Sequence, residues 1–365
     1  MSVHGSVADG FENVREEFAA VASDAQLAVY RHGRPVVDLW AGEVTGDSLF
    51  ALYSSAKGAA HLVVATLVRD GVLDLDRAVA DYWPEFAAEG KGELTLRELL
   101  AHRSGVIGTD DGFTLEELAD DQLLAERLAG QRPYWKPGSA YGYHAWVIGA
   151  LAGEVVRRAT GRSIQDLYRE RIRDPFQLDF HLGLPEELEP RYVPVLPGPP
   201  QPAPRPGSLP AISFNQHTSP PADLVTFANT RRARALGPTS SGGIGNARGL
   251  ARMYAAAIGE VDGRAALLDP STLAAFTTTP WTGTDLVTGE QDHFLIGFEA
   301  QGVRYPELGP DAFGHSGAVG AQSFADPASG IAYSYTVRRF VPGGGGGAPE
   351  NHRLVKAVFE ASGRV

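Results

Sequence analysis

The 365-residue sequence predicts an α/β fold: an antiparallel sheet flanked by helices and built from both chain termini, with a mostly helical domain inserted between them. Three observations lead there. Segments of strand character gather near the two ends, within 26–41 and 294–338. Segments with helical periodicity fill the middle. A strongly apolar helix begins at Tyr53-Ser54-Ser55-Ala56-Lys57, with a serine three residues ahead of a lysine. The boundaries are placed at 1–80 plus 290–365 for the sheet domain and 81–289 for the inserted domain, with a site expected where they meet.

Along the chain, residues 9–22 have the pattern of an amphipathic helix. Strands are expected at 26–30 and 36–41, joined by a turn at His32-Gly33-Arg34-Pro35. The run His61-Leu62-Val63-Val64-Ala65-Thr66-Leu67-Val68 reads as a buried helix that stops near Asp70-Gly71. Further helices are expected near 95–101, 114–129, 144–159, 162–173, 246–259 and 270–277. Between Pro190 and Pro210 the proline content points to a stiff surface connection, with a lid as the second use for it. Strands return at 294–301, 313–315, 321–326 and 331–338. Gly343 to Gly347 predict a flexible turn before a last helix over 351–361.

Ser54 and Lys57 form the one S-x-x-K of the chain, and the chain has just four lysines, Lys57, Lys91, Lys136 and Lys356. An N-cap serine followed by a solvated lysine is the ordinary origin of such a pattern. Here the context argues otherwise. Residues three apart share a helix face, so the amine at 57 reaches the hydroxyl at 54. Lysine gives up its proton when burial lowers its pKa, whereas a guanidinium keeps it. The position at a helix N-terminus also favours developing negative charge.

Acyl transfer from a serine needs a base, a proton route and an oxyanion site. In Tyr134-Trp135-Lys136-Pro137-Gly138-Ser139-Ala140-Tyr141-Gly142-Tyr143, a W-x-P-G turn leads into a helix expected to start near Tyr143. Tyr143 is the candidate phenol there, its pKa expected to fall beside a lysine ammonium, with Tyr141 as rival. Gly314-His315-Ser316-Gly317-Ala318 joins a strand edge to small residues that let a substrate carbonyl approach backbone amides. The amides of Ser54 and Ala318 are the expected oxyanion donors. Trp135 and Trp146, with Trp281 and Phe294, are candidates to line an acyl pocket.

Several motifs in order carry a resemblance: Ser54-x-x-Lys57, Val72-Leu73-Asp74-Leu75-Asp76 followed by Tyr82-Trp83-Pro84-Glu85-Phe86, Leu96-Arg97-Glu98-Leu99-Leu100-Ala101-His102-Arg103-Ser104-Gly105, Trp135-x-Pro137-Gly138, and His315-Ser316-Gly317. Over most of its length the chain resembles the serine β-lactamase-like superfamily, in particular the class C β-lactamase-like esterases of the family VIII carboxylesterase type. The resemblance implies a β-lactamase/penicillin-binding-protein-like fold, Ser54 as acyl-enzyme nucleophile, Lys57 as its activating partner and Tyr143 as general base. His315-Ser316-Gly317 stands where true β-lactamases carry Lys-Thr-Gly. The usual Tyr-x-Asn is Tyr143-His144-Ala145 here. Both departures take away contacts to a β-lactam and favour a neutral ester or thioester. A carboxylesterase is therefore expected. An acyltransferase passing the acyl group to an amine or alcohol shares every residue named. A β-lactamase, or a binding module without activity, fits less well.

Composition bounds the alternatives. A formal net charge of −12 argues against nucleic-acid or anionic-membrane partners. With no cysteine, thiolate catalysis and disulfides drop out. The ten histidines form no H-E-x-x-H, so neither a metal nor another cofactor is expected. No G-x-S-x-G elbow is present, against an α/β-hydrolase. The N-terminus lacks the basic and apolar regions of a signal peptide, so a cytoplasmic location is expected. The implied partner is a small-molecule acyl substrate, and the oligomeric state is left open.

Overall fold

The two ends of the chain meet in one sheet. In the computed structural model, which describes residues 2–278, 281–341 and 346–363, strands β1 (Val3–Val7), β2 (Ala25–Arg31) and β3 (Arg34–Ala41) come from the N-terminal part. Four more strands follow near the C-terminus: β7 (Glu299–Ala300), β8 (Phe313–Ser316), β9 (Gln322–Asp326) and β10 (Ile331–Val337). They form a seven-stranded sheet of order β1-β3-β2-β10-β9-β8-β7, with all neighbouring strands antiparallel. The seam between the ends is β2 against β10, from Ala25 opposite Val337 to Arg31 opposite Ile331. Both strands are buried almost throughout, including the polar Gln26, Ser334 and Thr336 among their apolar residues.

Helices cover this sheet. Helix α1 (Glu12–Val21) buries Val14 and Phe18 and is tied to the last helix, Asn351–Ala361, by Asn13 Nδ2 donating to the Ala357 carbonyl at 3.0 Å. The helix Ala247–Ile258 packs on β2, β9 and β10 although it belongs in sequence to the inserted segment. A smaller sheet of order β4-β6-β5 joins β4 (Phe50–Tyr53), β5 (Phe180–Leu182) and β6 (Gly243–Gly245).

From β4 the chain enters helix α2 (Ser55–Arg69), in which every residue from Ser55 to Leu67 is buried. Full burial of each Leu or Val here contributes roughly 1.5–3 kcal/mol. Its small residues allow close neighbours: a Cβ on Gly58 would lie 2.2 Å from the Tyr254 hydroxyl. The strand-to-helix corner is Tyr53, with φ +45°, a left-handed conformation that costs a non-glycine residue roughly 1–2 kcal/mol.

Several expectations change in the structure. The predicted strand 294–301 shrinks to Glu299–Ala300, because Leu295 donates to the Phe298 carbonyl and Gly297 turns with φ +78°. A Cβ at 297 would sit 2.6 Å from the His61 ring, so the turn is forced by the helix behind it. The helix expected from 144 begins at Ile148. Residues 143–147 are held in irregular backbone by side chains described below. Strands β1, β4, β5 and β6, and the short helices Leu209–Ser213, Leu224–Asn229 and Arg231–Leu236, carry too little periodicity to be read from sequence. Gly343 to Gly345 of the expected glycine turn lie outside the described residues. Among the described residues no helix is long and apolar enough to cross a membrane.

Candidate active site

Ser54 is the N-cap of α2, at the junction where the strained Tyr53 turns β4 into the helix. One turn on, Lys57 is fully buried. Its Nζ lies 3.2 Å from Ser54 Oγ, 2.7 Å from the Ala145 carbonyl and 2.8 Å from the Ser240 carbonyl. Burial lowers the Lys57 pKa to about 7, against a smaller upward pull from the carboxylates of Glu299 and Asp121. At that value a large fraction of the amine is neutral near pH 7. With two N–H bonds given to the carbonyls, its lone pair is free to face the Ser54 hydroxyl.

Tyr143 closes the group from the other side, its hydroxyl donating to Ser54 Oγ at 2.8 Å. The segment that carries it is fixed at each peptide. The Tyr143 amide donates to both oxygens of Asp285 at 3.1 Å, and the His144 amide donates to His102 Nδ1 at 3.1 Å. Ser213 accepts from the Ala145 amide and donates to the Tyr143 carbonyl. The ring stacks on Phe294 at 5.5 Å and 18°. Tyr141, the rival, instead donates its hydroxyl to the Gly283 carbonyl at 2.7 Å.

The electrostatics differ from the expectation at Tyr143. Burial pushes its pKa up, and the bond with Ser54 only partly offsets this, so the phenol stays protonated. No lowering by the Lys57 ammonium operates, because Lys57 is itself desolvated. The amine, not the phenol, is the group poised to take a proton.

Ser54 and Tyr143 line a cleft of about 780 Å³. Ser54, Tyr143, Ser316 and Ala318 face it, together with an apolar wall that includes Trp146, Phe214, Leu224 and Phe294. Pro197, Pro199, Pro202 and Pro204 complete that wall, so the proline-rich connection borders the cleft as a lid would. It is stitched to the end of β10 by Leu196, whose amide donates to the Arg338 carbonyl at 3.0 Å. Gly317 lies between Ser316 and Ala318, where a Cβ would come within 2.3 Å of the Leu52 carbonyl.

Trp135 and His315 are not among the cleft residues. Trp135 spends its indole N–H on the Ala140 carbonyl and packs against His144, bracing the W-x-P-G turn. Trp281 stacks under Arg103. His315 is buried on β8, its Nδ1 2.8 Å from the Ser316 carbonyl, because the neighbouring side chain, not its own, faces the cleft. Burial lowers its pKa to about 4, so it is neutral near pH 7 and brings no cation to a substrate.

Sequence reasoning passed over Glu299, which accepts from the Ser316 hydroxyl at 2.7 Å and the Ser316 amide at 3.1 Å. Burial pushes its pKa up, but the Arg304 guanidinium and the Ser316 hydroxyl bond outweigh it and keep the carboxylate ionised. Asp285 and Ser213 were passed over as well, and neither had a sequence signal. Ser240 lies in the small-residue run Thr239 to Gly245, which resembles the family's loop beside the cleft. Among the described residues no group of three His, Cys, Asp or Glu side chains is arranged to hold a metal ion.

Known proteins resemble this chain over most of its length. The sequence profile of the Beta-lactamase family matches residues 12–357. The chain is 30% identical over 335 residues to the Esterase/beta-lactamase LipL of Mycobacterium tuberculosis, covering 86% of this chain and 77% of that one. The solved structure of EstA from Arthrobacter nitroguajacolicus superposes with a TM-score of 0.93 at 38% identity, over 100% of this chain and 99% of the other. A family VIII carboxylesterase superposes with a TM-score of 0.90 at 32% identity, over 99% and 100%.

Proposed function

Since the chain belongs to the Beta-lactamase family and is a serine hydrolase, we propose that it works as a carboxylesterase that forms its acyl-enzyme on Ser54. The observation that carries this reading is the placement of one hydroxyl, Ser54 Oγ, 3.2 Å from a buried lysine amine and 2.8 Å from a tyrosine hydroxyl in an apolar-walled cleft.

In the proposed reaction Ser54 Oγ attacks the ester carbonyl and its proton passes to the neutral Lys57 amine. The oxyanion is met by the amides of Ser54 and Ala318, at a helix N-terminus and a small-residue turn. Collapse breaks the bond to the alcohol. The leaving alkoxide takes a proton from Tyr143, and the Lys57 ammonium, 4.9 Å from the Tyr143 ring centre, returns one to the phenolate. Water then attacks the acyl-enzyme by the same route in reverse. Ser316, held by Glu299, and the Trp146 wall shape the substrate's seat. The substrate class proposed is a small, uncharged ester or thioester. The division into a sheet unit (1–80 with 290–365) and an inserted unit (81–289), and a cytoplasmic location, are part of the proposal. Because Ala247–Ile258 packs on the sheet, that helix is better grouped with the sheet unit.

Intact-mass spectrometry after mixing with p-nitrophenyl esters of graded acyl length tests the reading. An adduct of acyl mass on the Ser54 peptide, absent in Ser54→Ala, is expected. Ester turnover by Ser54→Ala at the parent rate would overturn it. Adding an amine acceptor shows whether the acyl group goes to water or is transferred.

A further inference from the structure

The Ser240 carbonyl is one of two that hold the Lys57 amine, and its own position is set from behind. Ser240 belongs to a tight turn, with the Ser241 amide donating to the Pro238 carbonyl at 3.0 Å. Its hydroxyl accepts from the Gly149 amide at 2.7 Å. The helix backbone abuts the turn so closely that a Cβ on Gly149 would lie 2.3 Å from Thr239 Oγ1 and 2.5 Å from the Ser240 nitrogen. On its far side the turn meets a carboxylate. Asp121 Oδ2 accepts from the Thr239 amide at 2.9 Å, the Thr239 hydroxyl at 2.8 Å and Gln165 Nε2 at 3.2 Å. Asp121 is not spent on capping its helix, because Asp120 accepts from the Gln122 and Leu123 amides. Thr239 and Ser240 are fully buried, and neither lines the catalytic cleft.

We propose that Asp121 is a positioning residue for Lys57, gripping Thr239 so that the Ser240 carbonyl stays where it orients the amine toward Ser54. This rests on the Ser54–Lys57 reading above. Three donors converge on one Asp121 oxygen, which favours a carboxylate over an amide, since charge-assisted bonds are the stronger ones. If the turn relaxes, one of the two carbonyls that use up the amine's N–H bonds moves, and the lone pair no longer faces the hydroxyl. Displacements of about 1 Å at such a site can cost on the order of 10²-fold in rate.

The charge of Asp121 gives a second readout. The groups that bear on Lys57 are the carboxylates Glu299 and Asp121, the phenol of Tyr143, whose ring centre is 4.9 Å away, and the imidazoles His61, His102, His144 and His315, all lowered by burial and neutral near pH 7. Arg304 is paired with Glu290 at 2.7 Å and lies 3.9 Å from Glu299. Removing the Asp121 charge takes away one of the two anions that favour the Lys57 ammonium.

The test compares Asp121→Asn, Asp121→Ala, Thr239→Val, Thr239→Ser and Ser54→Ala in the full chain. The measurements are kcat and KM for p-nitrophenyl acetate from pH 5 to 9, with the active fraction titrated. Asp121→Ala and Thr239→Val are expected to lower kcat about tenfold or more per active site with KM little changed. Asp121→Asn should move the acidic limb of the profile to lower pH. Thr239→Ser keeps both donors and should behave as the parent. Should Asp121→Ala fail to fold, Thr239→Val carries the test. Parent-like kcat and an unmoved limb would overturn the inference. So would losses that merely follow the folded fraction. Turnover by Ser54→Ala would instead sink the nucleophile assignment, so the two failures are distinguishable.

Discussion

Ser54 is activated by an amine that burial has made partly neutral. Lys57, with its pKa lowered to about 7, works as a base only when unprotonated, so kcat/KM should rise with pH through about 7 and fall away below it. Rate measurements on p-nitrophenyl acetate check this, and a flat profile between pH 6 and 8 would contradict it. Lys57→Arg should abolish most turnover, since the guanidinium stays charged at every accessible pH. Tyr143→Phe should lower kcat by roughly 10²–10⁴-fold, the usual worth of a positioned proton donor. Tyr141→Phe should cost far less, because that hydroxyl is given to a loop carbonyl. Equal effects would mean that Tyr143 is structural. Nitrocefin should be a poor substrate beside p-nitrophenyl acetate. His315 is neutral and packed away from the cleft, and Ala145 offers no side-chain amide, so a charge-assisted contact worth roughly 1.5–3 kcal/mol is missing. A nitrocefin kcat/KM equal to the acetate value would show that another group, such as the cleft residue Arg304, binds the carboxylate.

At the level of elements, the site is where the end of β8, the start of α2 and the turn before Ile148 come together. The β8 end is pressed against β4 at Gly317, whose missing side chain makes room for the Leu52 carbonyl. Gly317→Ala should therefore push Ser316 and Ala318 away from Ser54. Overpacking of this kind costs roughly 1–3 kcal/mol. Urea unfolding should register that loss, and kcat should fall with it. A variant with unchanged midpoint and kcat would show that the contact relaxes freely. The proline-rich stretch behaves differently. Its wall of prolines is stiff by composition, but that it borders the cleft follows from its pairing with the far end of β10.

For the whole molecule, the burial that tunes Lys57 also leaves five histidines uncharged inside. His61, His102, His144, His293 and His315 all have pKa values lowered, chiefly by burial. The unfolded chain takes up protons on these rings near pH 6.5, while in the folded chain His293 and His315 resist to about 4, His61 and His144 to about 3, and His102 is lowered well below the usual range. Their contribution to stability is therefore present above about pH 6.5 and is lost as pH falls beneath it, at about 1.4 kcal/mol per unit for each ring. Lys57 does not offset this, since its pKa window lies between about 7 and its unfolded value near 10.4. Urea midpoints should drop steeply from pH 7 to pH 5. Midpoints that stay level over that range would show that the rings are solvated or paired.

What the sequence determined by itself was whatever depends on near neighbours. The i, i+3 spacing of Ser54 and Lys57 places both on one face of α2. The last helix over 351–361, the helix 270–277 and strands β2, β3, β8, β9 and β10 follow from period and punctuation alone. The order of the motifs was enough to name the superfamily. Tertiary structure decided the rest, because it depends on residues distant in the chain. It brings Ser240 to Lys57 and Asp285 to Tyr143, and it turns Gly297 against His61 where a longer strand was expected. It withdraws His315 and Trp135 from the cleft, whereas the other candidates Ser316 and Trp146 line it. It also reverses the sign at Tyr143. Sequence places a phenol near a cation, but only the packed interior shows that desolvation, which penalises charge on both groups, outweighs their attraction and leaves the neutral amine as the base.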